Sequence, residues 1–236
     1  MPLIALDNVT KIYPLGHQQV TAVDRLTLAI EAGEFTVLAG PSGSGKTTIL
    51  NLVGGLDRPS QGSVVIDGRD VGECSARALA DFRLRRVGFI FQSYNLIPVL
   101  NAAENAEFTL MLQGVPRRVR RERTEELFSD LGISGLENRK PGDLSGGQQQ
   151  RVAIARAMAA EPTVILADEP TANLDTQTSE ELLQLMRRLN REQKTTFVFS
   201  SHDPMVIAYA RRVVRLRDGR LESDTQQETQ TTVEAP

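Results

Sequence analysis

Three short apolar runs without alternation stand out along this chain: Glu34–Ala39, Thr163–Ala167 and Thr195–Phe199. Such a run fits a strand covered on both faces, as in a parallel α/β sheet. Residues 25 to 31, Arg-Leu-Thr-Leu-Ala-Ile-Glu, alternate cleanly and predict a strand with one solvated face. Residues 3 to 9 alternate more loosely before a turn around Pro14 and Gly16, and predict an opening strand. Helices are predicted over Thr47–Leu56 and Gln149–Ala160, and over Ser179–Asn190, where Leu182, Leu183, Leu185, Met186 and Leu189 recur at helical spacing. Strand, helix, strand in that order implies right-handed parallel crossovers. From about Ser93 to Ala160 the chain is helix-rich with no convincing buried strand, which predicts a helical subdomain inserted into an α/β core. Glu222–Pro236 has no Lys, Arg or aromatic residue and is rich in Gln and Thr, predicting a disordered tail.

Composition narrows the setting. A chain of 236 residues suits one globular unit with room for a subdomain. Its 27 Lys plus Arg against 30 Asp plus Glu leave a net charge of -3, which gives no reason to expect a nucleic-acid partner. The lone cysteine, Cys74, excludes an intramolecular disulfide and a cysteine-based zinc site, and a cytosolic setting is expected. No stretch approaches the roughly 20 apolar residues that span a bilayer. Met1–Asp7 lacks the basic start and long apolar region of a signal peptide. Work at a membrane would therefore need another chain to hold this one there.

Candidate chemistry begins where the first buried run ends. Gly40-Pro41-Ser42-Gly43-Ser44-Gly45-Lys46-Thr47 fits the pattern G-x-x-x-x-G-K-[ST] between a predicted strand and a predicted helix. The glycines let the backbone wrap a phosphate, and the helix that follows adds its positive end. In that arrangement Lys46 reaches the β- and γ-phosphates and Thr47 offers its hydroxyl to Mg²⁺, with Thr48 next in the nucleotide-binding set.

A second motif, Leu144-Ser145-Gly146-Gly147-Gln148, precedes the predicted helix Gln149–Ala160. Ser145 and Gln148 read as a capping box, which any helix can use. A cap does not need two adjacent glycines, which weaken a first turn but leave exposed N–H groups suited to a second phosphate. Here the chain resembles the ATP-binding cassette (ABC) family, from about residue 3 to residue 221. The resemblance implies a P-loop NTPase (RecA-like) α/β core with an antiparallel β subdomain and the inserted helical subdomain. A single ATPase domain would span 1–221, with the core at about 1–92 and 161–221, the helical part at about 93–160, and the tail at 222–236. It also implies ATP hydrolysis by a homodimer, in which Ser145, Gly147 and Gln148 close over ATP held by the opposing copy.

The same resemblance assigns the remaining parts. Asp168, at the end of a buried strand, resembles the Walker B aspartate and holds Mg²⁺ directly or through water. Glu169 lies where a carboxylate can polarise the attacking water. Adjacent acids after a strand can also be surface charge, but the phosphate loop argues against that. His202, in Ser200-Ser201-His202-Asp203, resembles the switch histidine that contacts the γ-phosphate. Gln92 resembles the Q-loop glutamine, which touches Mg²⁺ or the lytic water. Asn173-Leu174-Asp175 resembles the D-loop that crosses the dimer interface, and Tyr13 sits where an aromatic stacks on adenine. A plain core or surface tyrosine is the alternative there.

A finer resemblance is to cassettes of the lipoprotein-release and macrolide-efflux type. It rests on Phe89–Pro98, on Asn105, and on Gly54-Gly-Leu-Asp-Arg-Pro59. It implies a separate membrane permease docking near Gln92, and a place on the cytoplasmic face of the inner membrane. The apolar segment Tyr94–Leu100 would form part of that surface, or is simply core. A soluble cassette ATPase serving a cytosolic assembly, such as an iron–sulphur scaffold, is the rival reading. Arg117–Arg123 holds five arginines, read as a solvated helix face beside Glu122, Glu125 and Glu126 or as a contact for anionic lipid or nucleic acid. Cargo and direction leave no trace in the chain.

Overall fold

The computed structural model describes residues 1–16 and 18–227. The antiparallel strands β1 (Ile4–Leu15), β2 (Gln18–Ile30), β4 (Gln61–Ile66) and β5 (Arg69–Asp70) form one sheet in the order β2-β1-β4-β5. A second sheet runs β10-β9-β3-β8-β7-β6, with β3 (Phe35–Ala39), β6 (Val87–Ile90), β7 (Val164–Asp168), β8 (Thr196–Ser201) and β9 (Arg212–Arg217) parallel. Its edge strand β10 (Arg220–Gln226) is antiparallel to β9. The helices are α1 (Lys46–Val53), α2 (Ala76–Arg86), α3 (Ala102–Leu112), α4 (Arg117–Asp130), α5 (Gly146–Met158), α6 (Thr176–Gln193) and α7 (Pro204–Tyr209).

Side-chain alternation divides the core in two. Leu38, Leu166, Val198 and Val214 share one cluster with Ile4, Leu6, Leu28 and Ile30 of the antiparallel sheet and with Ile49, Leu52 and Val53 of α1. Phe35, Val37, Ile165, Phe197 and Phe199 share the other with α3 to α6, including Phe128, Ile154, Leu183 and Met186. Strands β3, β7 and β8 are thus covered on both faces, which is why their runs are apolar throughout. Each such side chain contributes about 1.5–3 kcal/mol on leaving water. The strand ends are thereby held rigid, and the chemistry below sits on them.

Residues 91–163 carry helices α3, α4 and α5 and no strand. The loop before α3 is tied down by Asn105, which is fully buried. Its Oδ1 accepts from Ile97 N at 2.7 Å, and its Nδ2 donates to the carbonyls of Ile97, Leu100 and Asn101.

The first two strands run longer than the alternation predicts, because β1 and β2 pair out to Leu15 and Gln18 through several register shifts. The tail expectation is corrected in part. Residues 222–226 belong to β10, and the expected disorder of 228–236 falls outside the described residues. The strand is held by Arg212, whose Nε and Nη2 donate to both oxygens of Asp224 at 2.9 and 2.7 Å. Its Nη1 also donates to Glu34 at 3.0 Å and to the Ala29 carbonyl at 2.8 Å, tying both sheets to one guanidinium. Arg212→Ala is expected to cost about 2 kcal/mol at neutral pH, read as a lower melting temperature. Arg212 holds the Asp224 carboxyl below its ordinary range. A depressed carboxyl contributes stability above its unfolded value and loses it as pH falls through the folded one, so the gap between wild type and variant should close in acid.

Candidate functional site

Strand β3 ends at Ala39, and residues 40–45 wrap into the first turn of α1. A Cβ on Gly40 would lie 2.3 Å from the Leu216 carbonyl oxygen, and one on Gly45 2.5 Å from that of Ala22. Only glycine fits either place. Gly45 caps α1 in a left-handed conformation with no side-chain cap bond, so the first N–H groups of the helix face outward without protein acceptors. Lys46 is buried, and its Nζ donates back to the Gly40 and Pro41 carbonyls at 2.7 and 3.0 Å. Ser44 is buried, and among the described residues its Oγ has no hydrogen-bond partner. Unpaired N–H groups at the start of α1, an ammonium parked on its own loop and an orphaned hydroxyl describe a cradle built for an anion.

The acids stand at the adjoining strand ends, where Asp168 of β7 pairs with Ser200 of β8. Thr47 Oγ1 donates to Asp168 Oδ1 at 3.1 Å, and the Ser200 hydroxyl donates to the same oxygen. Glu169 adopts φ 45, and its N–H donates to the Ser200 carbonyl at 3.0 Å. Its Oε2 accepts from Ser201 Oγ at 3.0 Å and its Oε1 from His202 Nδ1 at 2.7 Å. Ser201 Oγ accepts the Asp203 N–H at 3.1 Å, which directs its proton toward Glu169. Two successive serines of β8 therefore each serve one of two successive acids, Asp168 at the end of β7 and Glu169 just after it. Both serines are fully buried. Sequence reasoning gave them no role, although the run Ser200-Ser201-His202-Asp203 at a strand end carried the signal.

For a divalent cation, Thr47 and Asp168 present oxygens 3.1 Å apart beside the cradle. Among the described residues no group of three or more His, Cys, Asp or Glu could hold a metal unaided. That donor set suits Mg²⁺, which binds through one or two protein oxygens together with the phosphates of a substrate.

Ser145 and Gln148 do form a reciprocal capping box at the start of α5, with bonds of 3.3 and 3.0 Å. The two glycines have a steric reason as well. A Cβ on Gly146 would meet the Tyr94 hydroxyl at 2.9 Å, and one on Gly147 would meet Thr178 Cγ2 at 2.7 Å. Asp175 caps α6, accepting Thr178 N at 2.9 Å and Thr178 Oγ1 at 2.7 Å. Those bonds hold its carboxyl below the ordinary range. Asn173 Nδ2 donates to the Gln92 carbonyl at 2.8 Å, and Tyr94 and Asn95, both at positive φ, give their carbonyls to Arg156 at 2.8 and 2.5 Å.

The structure thus gathers the predicted residues into two sets. Lys46, Thr47, Asp168, Glu169 and His202 converge around residues 40–48. Ser145, Gly147 and Gln148 form the start of α5, Asp175 caps α6, and Gln92 follows β6 and is tied by its carbonyl to Asn173. No hydrogen bond among the described residues joins Ser145, Gly147 or Gln148 to residues 40–48, Asp168, Glu169 or His202. Tyr13 lies on β1, its hydroxyl donating to Asp57. The segment 93–100 divides, with Leu96 packed on the core and Val99 exposed. Of the arginine cluster, Arg118 and Arg121 pair with Glu122 and Glu125 one turn on, whereas Arg120 reaches Glu107 of α3. These pairings agree with a solvated helix face.

Comparison with known proteins places these sets in context. The ABC transporter family model matches residues 23–172. The chain is 43% identical over 222 residues to the lipoprotein-releasing system ATP-binding protein LolD of Chromohalobacter salexigens, covering 94% of each. It is 45% identical over 235 residues to the macrolide export ATP-binding/permease protein MacB of Hyphomonas neptunium, of which it spans 36%. It superposes with a TM-score of 0.88 and 42% identity on the dimeric, ADP- and phosphate-bound post-hydrolysis cassette MJ0796, covering 95% of this chain and 99% of that one.

Proposed function

The chain belongs to the ABC transporter family of ATPases, and from that premise we propose that two copies clamp two ATP molecules between them and drive a separate membrane permease. It is an ATP-binding, ATP-hydrolysing subunit of LolD and MacB type. The observation that carries the catalytic part of the proposal is the ladder of Ser200, Ser201 and His202 on Asp168 and Glu169 beside an open anion cradle.

In this reading residues 40–48 cradle the phosphates, and Lys46 exchanges its own loop carbonyls for them. Thr47, Asp168 and Gln92 would hold Mg²⁺, which when bound neutralises charge on the phosphate oxygens. Glu169 orients the attacking water and takes its proton, while Ser201 holds the carboxylate in place. His202, mostly exposed, is free to turn its ring toward the terminal phosphate. Ser145, Gly147 and Gln148 close from the second copy, with Asp175 at the interface and Tyr13 against adenine. What supports the second copy is that no hydrogen bond among the described residues joins Ser145, Gly147 or Gln148 to the cradle of their own chain, and that MJ0796 is a dimer. The helical part at about 93–160 would move against the core at about 1–92 and 161–221.

No helix among the described residues is long and apolar enough to cross a membrane. The permease would therefore be another segment or chain, as the name of MacB joins the two functions in a protein nearly three times as long. It would hold this subunit at the cytoplasmic face of the inner membrane. A groove of about 350 Å³ beside Gln92, lined by Leu56, Leu84, Phe89, Phe91 and Asn95, suits an apolar helix from that partner. Leu56 is 49% exposed there. Leu56→Glu is expected to cut recovery of the co-purifying membrane partner from detergent by roughly tenfold or more. A wild-type chain that stays free of any membrane protein in its native cell would end the transporter reading.

A further inference from the structure

Three side chains beside the phosphate loop form a unit that the hydrolytic machinery leaves unused. Lys11 and Tyr13 lie two apart on β1 and share a face. The Tyr13 hydroxyl donates to Asp57 Oδ2 at 2.8 Å. Lys11 Nζ donates to Asp57 Oδ1 at 2.6 Å and to the Arg58 carbonyl at 2.9 Å. The same ammonium stands over the Tyr13 ring, 4.9 Å from its centroid. Asp57 is itself fixed, because its Oδ1 also accepts the Arg58 N–H at 2.7 Å and its own N–H donates to Asn51 in α1 at 3.2 Å. Burial works to raise the Asp57 carboxyl, but the bonds from Lys11, Tyr13 and Arg58 outweigh it and hold the group below its ordinary range.

The ring is therefore constrained twice. Its hydroxyl is anchored to the loop that follows α1, and one of its faces is taken by a cation. Only the opposite face is left for a ligand. Lys11 is 12% exposed, so its charge is not merely solvated surface. An aromatic platform that must be ordered on binding loses affinity to that ordering, whereas one already held does not.

We infer that Lys11 and Asp57 are positioning residues for the nucleobase of ATP: they lock the Tyr13 ring and present a single face for the base to stack on. The inference rests on the role given to Tyr13 above. It adds that the sequence Gly54-Gly-Leu-Asp-Arg-Pro59 contributes to nucleotide affinity through the hold of Asp57 on Lys11 and Tyr13.

The test is equilibrium binding of ATP and of inorganic tripolyphosphate, which lacks a base, to the whole chain and to Tyr13→Ala, Lys11→Met and Asp57→Ala. Tyr13→Ala should weaken ATP about tenfold, the scale of stacking one base on one aromatic ring. Lys11→Met and Asp57→Ala should each weaken ATP about threefold, the scale of leaving one side chain to be ordered on binding. Tripolyphosphate should bind all four proteins alike. In a Tyr13→Ala background, Lys11→Met should have no further effect. If Tyr13→Ala weakens ATP but neither other variant does, the positioning role is wrong while stacking stands. If Tyr13→Ala has no effect, the stacking role falls and this inference with it. Equal weakening of tripolyphosphate would show damage to the phosphate cradle and would also overturn the inference.

Discussion

Glu169→Gln is expected to bind ATP as the wild type does while losing two to four orders of magnitude in turnover, the range over which a positioned general base acts. The side chain is 16% exposed and its two oxygens have separate donors, Ser201 Oγ and His202 Nδ1. Glutamine has the same shape, keeps one of those acceptors, and cannot take a proton from water. The phosphate cradle at residues 40–48 does not contact Glu169 by hydrogen bond, so affinity should be spared. Binding without turnover leaves ATP in place, and the variant should accumulate as an ATP-bound dimer. Phosphate release measured beside ATP binding, with size-exclusion in ATP, reads all three outcomes. Normal turnover would remove Glu169 from the base role.

That residue also marks where legibility from sequence stops. The strand behind it was readable, since Val164–Ala167 is apolar throughout and is covered on both faces. So was its neighbour, and so was the phosphate loop, whose motif is contiguous from Gly40 to Thr47. What holds the carboxylate in place was not readable, because Ser201 lies 32 residues away and meets it only once β7 and β8 are paired. The same limit hid Asp57, 44 residues from Tyr13. It hid β10 as well, whose residues Arg220–Gln226 are mostly polar and depend on the bidentate grip of Arg212. The glycine pair at 146 and 147 was read as room for a phosphate. Close approach of Tyr94 and Thr178, 52 and 31 positions away, is a second reason that no local pattern displays. Helix α2 escaped notice because only Leu79 and Phe82 of its residues are buried.

Those two reasons for one motif are separable by mixing damaged subunits. Lys46→Ala removes the ammonium from the cradle, and Ser145→Arg places a bulky side chain at the start of α5. If each ATP is bound between the cradle of one copy and α5 of the other, neither variant alone has an intact site. Each is expected to lose turnover by two to three orders of magnitude, the loss typical of one phosphate-facing donor. A mixed dimer pairs the sound cradle of the Ser145→Arg copy with the sound α5 of the Lys46→Ala copy, and so regains one site of two. Random pairing of equal amounts should restore about a quarter of the wild-type sites, counted as ATP trapped per dimer. Ser145→Asp in place of Ser145→Arg separates cap from contact. Aspartate caps a helix as well as serine does, so stability should be kept, but its charge opposes a phosphate and the mixing result should be the same. Had Ser145 served only as a cap, Ser145→Asp would turn over normally by itself, and mixing would have nothing to rescue. No trapped ATP in a mixture of variants that fold and pair would place the whole site within one copy.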